Sequence, residues 1–223
     1  MSLADDVRKY YEERAPVYDE TAGYIDPVAE ELRTPIKKRY QNLLRSHDVL
    51  EIACGTGYWT QSIAEVATSV LGVDLVPSLI AQAEDRCRFF PNVEFRIADA
   101  YTLEGIPHGF TAAFSHWWWS HIPRERLPAF LRVLHDKLKP GALVLFVDQL
   151  TYDSADRSKD SNGNTLEKRF LPDGRSFEIV KNFPTTKEIS EVLSGIADNI
   201  KYTERPSEKT WTLTYRVSAD QSV

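Results

Sequence analysis

The sequence predicts an α/β fold, a mostly parallel sheet with helices on both faces, and three observations carry that prediction. Short apolar runs alternate with helix-like stretches between residues 48 and 150, the signature of strand–helix–strand crossovers. The first run, Val49-Leu50-Glu51-Ile52-Ala53, leads through Cys54-Gly55-Thr56-Gly57 into a helix, so glycines stand where backbone must approach a ligand. The second run, Val70-Leu71-Gly72-Val73-Asp74, ends in an acid at the position where an open sheet presents a carboxylate to ribose hydroxyls.

Residues 1–47 read as a helical prelude, from the apolar spacing of Val7, Tyr10, Tyr11 and Val17 and the breaks at Pro16 and Pro27. Strands are expected near 48–53, 70–74, 93–97, 110–115 and 142–148, with helices near 58–67, 78–88 and 124–137. From Asp153 to Asn164 the chain is polar and rich in Ser, Asp and Asn, which reads as a loop. Pro172-Asp173-Gly174 between alternating segments then predicts a β-hairpin over 168–181. Thr185 and Glu188 have capping-box spacing and open a helix running to about Gly195, and the segments 199–204 and 210–217 suit an antiparallel edge pair. The expected organisation is one domain: a helical lid (1–47), a core (48–150), a loop and hairpin (151–184) and a final helix with edge strands (185–223).

With 223 residues the chain can bury a substantial core, and its net charge of −6 argues against a broad nucleic-acid surface. It has no apolar run of about 18 residues, and Asp5, Asp6, Arg8 and Lys9 make the amino terminus too charged for a signal peptide. A cytoplasmic protein with no membrane or nucleic-acid partner is therefore expected, as monomer or homodimer. Cys54 and Cys87 show no metal or redox spacing, so reduced thiols and no metal site are expected.

The glycine loop discriminates between nucleotide cofactors. The dinucleotide fingerprint wants a third small residue where this chain has Thr60, after bulky Tyr58 and Trp59. The spacing Glu51-x-x-x-Gly55-x-Gly57 instead resembles the first motif of class I S-adenosylmethionine-dependent methyltransferases. Val70–Asp74 looks like that family's ribose-binding strand, Arg96-Ile97-Ala98-Asp99-Ala100 like its adenine-reading segment, and Leu138-Lys139-Pro140-Gly141 like the turn into its fifth strand. The resemblance implies a Rossmann-like seven-stranded sheet and S-adenosyl-L-methionine as cofactor. It places Glu51, Ala53, Gly55, Gly57, Thr60, Asp74, Leu75, Asp99 and Ala100 around that cofactor, with Tyr18 folded over it.

Strand four runs into His116-Trp117-Trp118-Trp119-Ser120-His121, at the sheet edge that borders the ligand crevice. His116 is the candidate to orient the acceptor or take its proton, while the tryptophans suit core packing or a pocket wall. On the hairpin, Arg169 is expected opposite Phe177 and on the same face as Lys181, about 13 Å of ribbon away at about 3.3 Å per residue. The pair could meet a common anion; the alternatives are a solvated ribbon face or ion pairs with Glu167 and Glu178. The segments 116–123 and 169–181 resemble a small-molecule branch that includes phosphonate O-methyltransferases. That resemblance implies Arg169, Lys181, Tyr24 and Trp117 as substrate-binding residues. The expected reaction is O-methylation of a small phosphonate or carboxylate; N- or C-methylation of a larger apolar metabolite, or cofactor binding without turnover, are the alternatives.

Overall fold

The computed structural model describes residues 3–219, so the outermost residues of the lid and of the C-terminal segment lie outside the described residues. Helix α1 (Leu3–Arg14) is followed by a 3-10 turn at Pro16, the short α2 (Tyr18–Thr21) and α3 (Pro27–Leu44). Pro27 opens α3 rather than merely breaking the prelude: Asp26 caps the helix by accepting from the Val28 N–H at 2.9 Å, and proline at the first turn forfeits no helical hydrogen bond.

The core alternates as expected: β1 (Asp48–Ile52), α4 (Tyr58–Ala64), β2 (Ser69–Asp74), α5 (Pro77–Cys87), β3 (Val93–Ile97), β4 (Phe110–His116), α6 (Leu127–Lys137) and β5 (Leu138–Gln149). Three strands of a second sheet follow, β6 (Arg157–Lys159), β7 (Thr165–Phe170) and β8 (Ser176–Val180). Helix α7 (Thr186–Leu193), β9 (Ala197–Arg205) and β10 (Thr210–Val217) complete the described elements. The Thr185–Glu188 capping box is formed in both directions, at 3.2 and 2.7 Å.

The main sheet has the order β3-β2-β1-β4-β5-β10-β9, parallel except where β10 runs antiparallel to both neighbours. Side-chain alternation explains why both faces are covered. Leu50 and Ile52 of β1, with Val144 and Phe146 of β5, point into a core shared with Phe130, Leu131 and Leu134 of α6 and Leu193 of α7. Val49, Leu143, Leu145 and Val147 point the other way, onto Tyr40 and Leu44 of α3 and Trp59 and Ile63 of α4.

Two expectations need correction. The polar stretch 153–164 is not all loop, because Arg157–Lys159 pairs with Thr165–Glu167 and turns the hairpin into a three-stranded sheet. Its composition hid the strand, whose partner supplies the hydrogen bonds while its side chains stay largely in water. The fifth strand also begins at Leu138, before the Pro140-Gly141 irregularity, not at 142. Helix α1 packs on the small sheet, with Tyr10 and Val7 against Leu171, Phe177 and Ile179. The lid and hairpin are thus one packed layer beside the carboxyl ends of the main strands.

Candidate active site

Strands β1, β2 and β4 end on the same edge of the sheet, and a cavity enclosing about 1020 Å³ of empty space, part of it open to solvent, lies against that edge. At the β1 end, Ala53 and Gly55 take left-handed backbone, φ 54° and 56°, so the chain turns sharply and Gly55 lies bare under Tyr18. A Cβ on Gly55 would stand 3.7 Å from the Tyr18 hydroxyl, space that a ligand can use. At the β4 end Trp117 is also left-handed, φ 62°; a non-glycine residue there stores about 1–3 kcal/mol of strain and is met mainly at functional sites.

Asp74 lies on the cavity wall and accepts from the Gly55 N–H and the Val76 N–H, both at 3.0 Å. Those bonds occupy two of about four lone-pair directions, leaving acceptor capacity for a diol. Burial raises its carboxyl above the ordinary range, opposed by those same N–H groups. Asp99 directs one oxygen to the Tyr101 N–H at 2.8 Å, and Leu75, Ala98 and Ala100 complete this end of the wall. A ribose beside Asp74 and a purine beside Asp99 and Ala100 fit this donor and acceptor set.

Of the residues singled out in the sequence, Tyr18, Ala53, Gly55, Asp74, Leu75, Asp99, Ala100, His116 and Trp117 meet around this one cavity. Glu51, Gly57 and Thr60 stand behind the loop. Glu51 is 2 % exposed, accepts from Thr60 Oγ1 at 2.6 Å, and is pushed up by burial to about 8, so it braces the turn as a largely protonated acid at neutral pH. A Cβ on Gly57 would touch the Ala83 Cβ at 3.0 Å, so that glycine permits α4 and α5 to approach. Tyr24 lies off the cavity wall, stacked on Tyr58 at 3.9 Å.

The hairpin register is as expected, with Arg169 opposite Phe177 and Lys181 N–H bonded to Thr165 O, and neither cation is among the residues that line the cavity. Arg169 pairs with Glu167 at 2.7 Å and donates to the Tyr152 hydroxyl at 2.8 Å. Lys181, 2 % exposed, donates to Ser120 Oγ at 2.8 Å and stands 3.5 Å from Asp148, itself fully buried. For Lys181 the reason is electrostatic: a buried ammonium is costly without a countercharge.

This network holds a histidine that strand-end reasoning undervalued. The Lys181 and Asn182 backbone joins the 120–122 segment: Asn182 N–H donates to Ser120 O at 2.7 Å and its side chain to Ile122 O at 3.0 Å. His121 Nδ1 lies 2.8 Å from the Val180 carbonyl, which can only accept, so Nδ1 carries the hydrogen. Nε2 is then the acceptor, and the Tyr11 hydroxyl of α1 donates to it at 3.0 Å. Tyr11, His121 and Val180 all line the cavity. Burial, aided by Lys181, Arg169 and Arg14, lowers the His121 pKa well below its ordinary value. His116, stacked on Trp59 at 4.3 Å, is lowered by burial, Arg33 and Lys181 to about 3, which leaves it a weak proton acceptor. Spacing from the strand end singles out His116; the contact of His121 with Tyr11 spans 110 residues and forms only because α1 packs there.

Among the described residues, no group of three or more His, Cys, Asp or Glu side chains is arranged to hold a metal, and no helix is long and apolar enough to cross a membrane.

Known proteins place this geometry in a family. A family model described as a methyltransferase domain matches residues 49–141. The DhpI-SAM-HEP complex aligns with a TM-score of 0.78 and 31 % identity, covering 96 % of this chain and 97 % of that one. The DhpI-SAH complex gives 0.75 and 31 %, covering 97 % and 98 %. Phosphoethanolamine N-methyltransferase 1 of Caenorhabditis elegans is 26 % identical over 134 residues, 57 % of this chain and 28 % of that protein, so the match spans under a third of that curated relative's length. The carboxyl-edge cavity, the Gly55–Asp74–Asp99 wall and the near full-length match to DhpI lead to one conclusion: the chain belongs to the class I S-adenosylmethionine-dependent methyltransferases.

Proposed function

We propose that this chain binds S-adenosyl-L-methionine at the Asp74–Asp99 end of the cavity and methylates an oxygen of a small phosphonate or carboxylate held at the Tyr11–His121 end. The observation that carries the anionic acceptor is the surround of His121, where Lys181, Arg169 and Arg14 all lie close enough to disfavour a further positive charge. An anion entering there meets a neutral imidazole, and it reaches Lys181 or Arg169 directly only by displacing Asp148 or Glu167. The similarity to DhpI in complex with SAM and HEP, and to phosphoethanolamine methyltransferases, supports the same reading.

The bound cofactor supplies an electrophilic sulfonium methyl: an acceptor lone pair forms the new bond to carbon as the carbon–sulfur bond breaks and its electron pair stays on sulfur. The chain's part is to bind, orient and exclude water. Asp74 and Asp99 fix the nucleoside, Tyr18 closes over Gly55, and Tyr11 and His121 face the acceptor. An ionised oxygen needs no base, so Arg169 and Lys181 act through their field or by exchanging Glu167 and Asp148 for the substrate's nonreacting oxygens. If the acceptor atom is an amine nitrogen of an anionic substrate, as the name of the phosphoethanolamine relative suggests, the Tyr11 hydroxyl held by His121 Nε2 is the group placed to orient it, and the amine proton leaves to solvent, since burial lowers the basicity of His121.

The test is transfer of isotopically labelled methyl from S-adenosylmethionine to small phosphonates and carboxylates set against matched neutral alcohols, phenols and amines. Labelled esters of the anions are expected. Label on neutral acceptors alone would overturn the anionic reading.

A further inference from the structure

The residues that fasten the lid to the glycine loop do not touch the cavity. Asp19 of α2 accepts from Thr56 Oγ1 at 2.6 Å and forms an ion pair with Arg86 of α5, whose Nε donates to the Thr56 carbonyl at 2.9 Å. One turn earlier on α5, Gln82 donates to the Ala15 carbonyl at 3.0 Å. Residues four apart project from the same helix face, so Gln82 and Arg86 bracket both ends of the turn 15–19. The Asp19 and Arg86 side chains are only 21 % and 23 % exposed, which makes the pair stronger than an open surface contact.

Between those two fastenings stands Tyr18, on the cavity wall, with its ring against Gly55 and the Arg14 guanidinium 4.7 Å from its centroid. Asp19, Thr56 and Arg86 are absent from the wall. Their one route to the ligand is through Tyr18 and the backbone of the 55–57 loop.

We propose that Asp19 and Arg86 are positioning residues, a clasp that holds Tyr18 shut over the cofactor, and that opening of this clasp governs departure of the demethylated cofactor. The inference rests on the cofactor reading above. A ligand lying between Gly55, Asp74 and the Tyr18 ring is covered by the 15–19 turn, and lifting that turn breaks the Asp19 contacts to Thr56 and Arg86 together.

The experiment is stopped-flow displacement of S-adenosylhomocysteine from the full chain and from Asp19→Asn, Arg86→Met, Arg86→Lys and the Asp19→Asn/Arg86→Met double variant, each shown to be folded by thermal unfolding. Dissociation is expected to be about tenfold faster in each of Asp19→Asn and Arg86→Met, with the double variant no faster than the faster single one. Arg86→Lys, which keeps the ion pair and loses the fork to Thr56, should fall between them and the parent. If Arg86→Met perturbs folding, Thr56→Val removes the hydroxyl contact alone and should still accelerate release. Wild-type dissociation rates in the folded single variants, or fully multiplicative effects in the double, would overturn the clasp. Failure of the parent chain to bind S-adenosylhomocysteine or S-adenosylmethionine at all would overturn the cofactor reading and the clasp with it.

Discussion

The two ends of the cavity are built by different means. At the nucleoside end most wall residues belong to a strand terminus or the turn that follows it, with Tyr18 of α2 and Leu79 of α5 added, and backbone hydrogen bonds set the geometry: Asp74 is fixed by Gly55 and Val76, and Asp99 by Tyr101. At the acceptor end the wall is assembled from α1, the 116–123 segment and the end of β8, and side-chain networks hold it. Local backbone geometry makes the first end insensitive to what binds elsewhere. The second end depends on contacts spanning 59 to 110 residues, and its specificity can change without disturbing the sheet.

That contrast can be broken most sharply by His121→Ala. Catalytic efficiency with a small phosphonate acceptor is expected to fall about 100-fold, because the Tyr11 hydroxyl loses the partner that positions it, while affinity for S-adenosylhomocysteine, read by calorimetry, stays within about twofold. Equal losses would mean that the two ends are not separable. Asp74→Ala should do the reverse, weakening cofactor affinity by roughly 100-fold, since it removes the diol acceptor and orphans two backbone N–H groups. A packing test of the rigid end comes next. On Gly72 a Cβ would lie 2.7 Å from the Phe95 ring, so Gly72→Ala should cost about 1–3 kcal/mol in urea unfolding. An unchanged midpoint would show that β2 and β3 have slack there.

The smallest expected effect is a pair of opposite pH dependences. Glu51 is raised from an ordinary 4.5 to about 8, so the folded state holds the extra proton; its contribution to stability is full below about 4.5 and is lost as pH rises toward 8. His116 is lowered from 6.5 to about 3, so the unfolded state holds the extra proton; its contribution is present above about 6.5 and is lost as pH falls toward 3. The melting temperature of the ligand-free chain should therefore decline by a few degrees on either side of about pH 5–6. Glu51→Gln should flatten the alkaline limb and His116→Gln the acid limb. A limb that survives its substitution belongs to another group.

The sheet was readable because its determinants are local: alternating burial, Gly55 and Gly57 at a turn, an acid ending β2. The nucleoside wall followed from the same signals. The acceptor end was less readable, since spacing could show that Arg169 and Lys181 share a ribbon face and that Glu167 stands near Arg169, but not that Asp148 would come to meet Lys181. His121 could not be preferred to His116 from the sequence, because what distinguishes them is a tyrosine from α1 and a carbonyl from β8. Strand β6 escaped for the opposite reason: an edge strand paired on one side needs little apolar content.

Strand β10 occupies an interior slot between β5 and β9, yet it is the last of the sheet's strands to be made. During synthesis, at about 5–20 residues per second, β5 must wait some 60 residues of chain with one edge unpaired before β10 arrives to fill it. Until then the nascent chain carries an open sheet edge flanked by apolar strands, so the step most exposed to aggregation lasts until β10 is made. Interrupting the chain before Thr210 would remove not a trailing strand but the middle of one side of the sheet, leaving β9 with nothing to join.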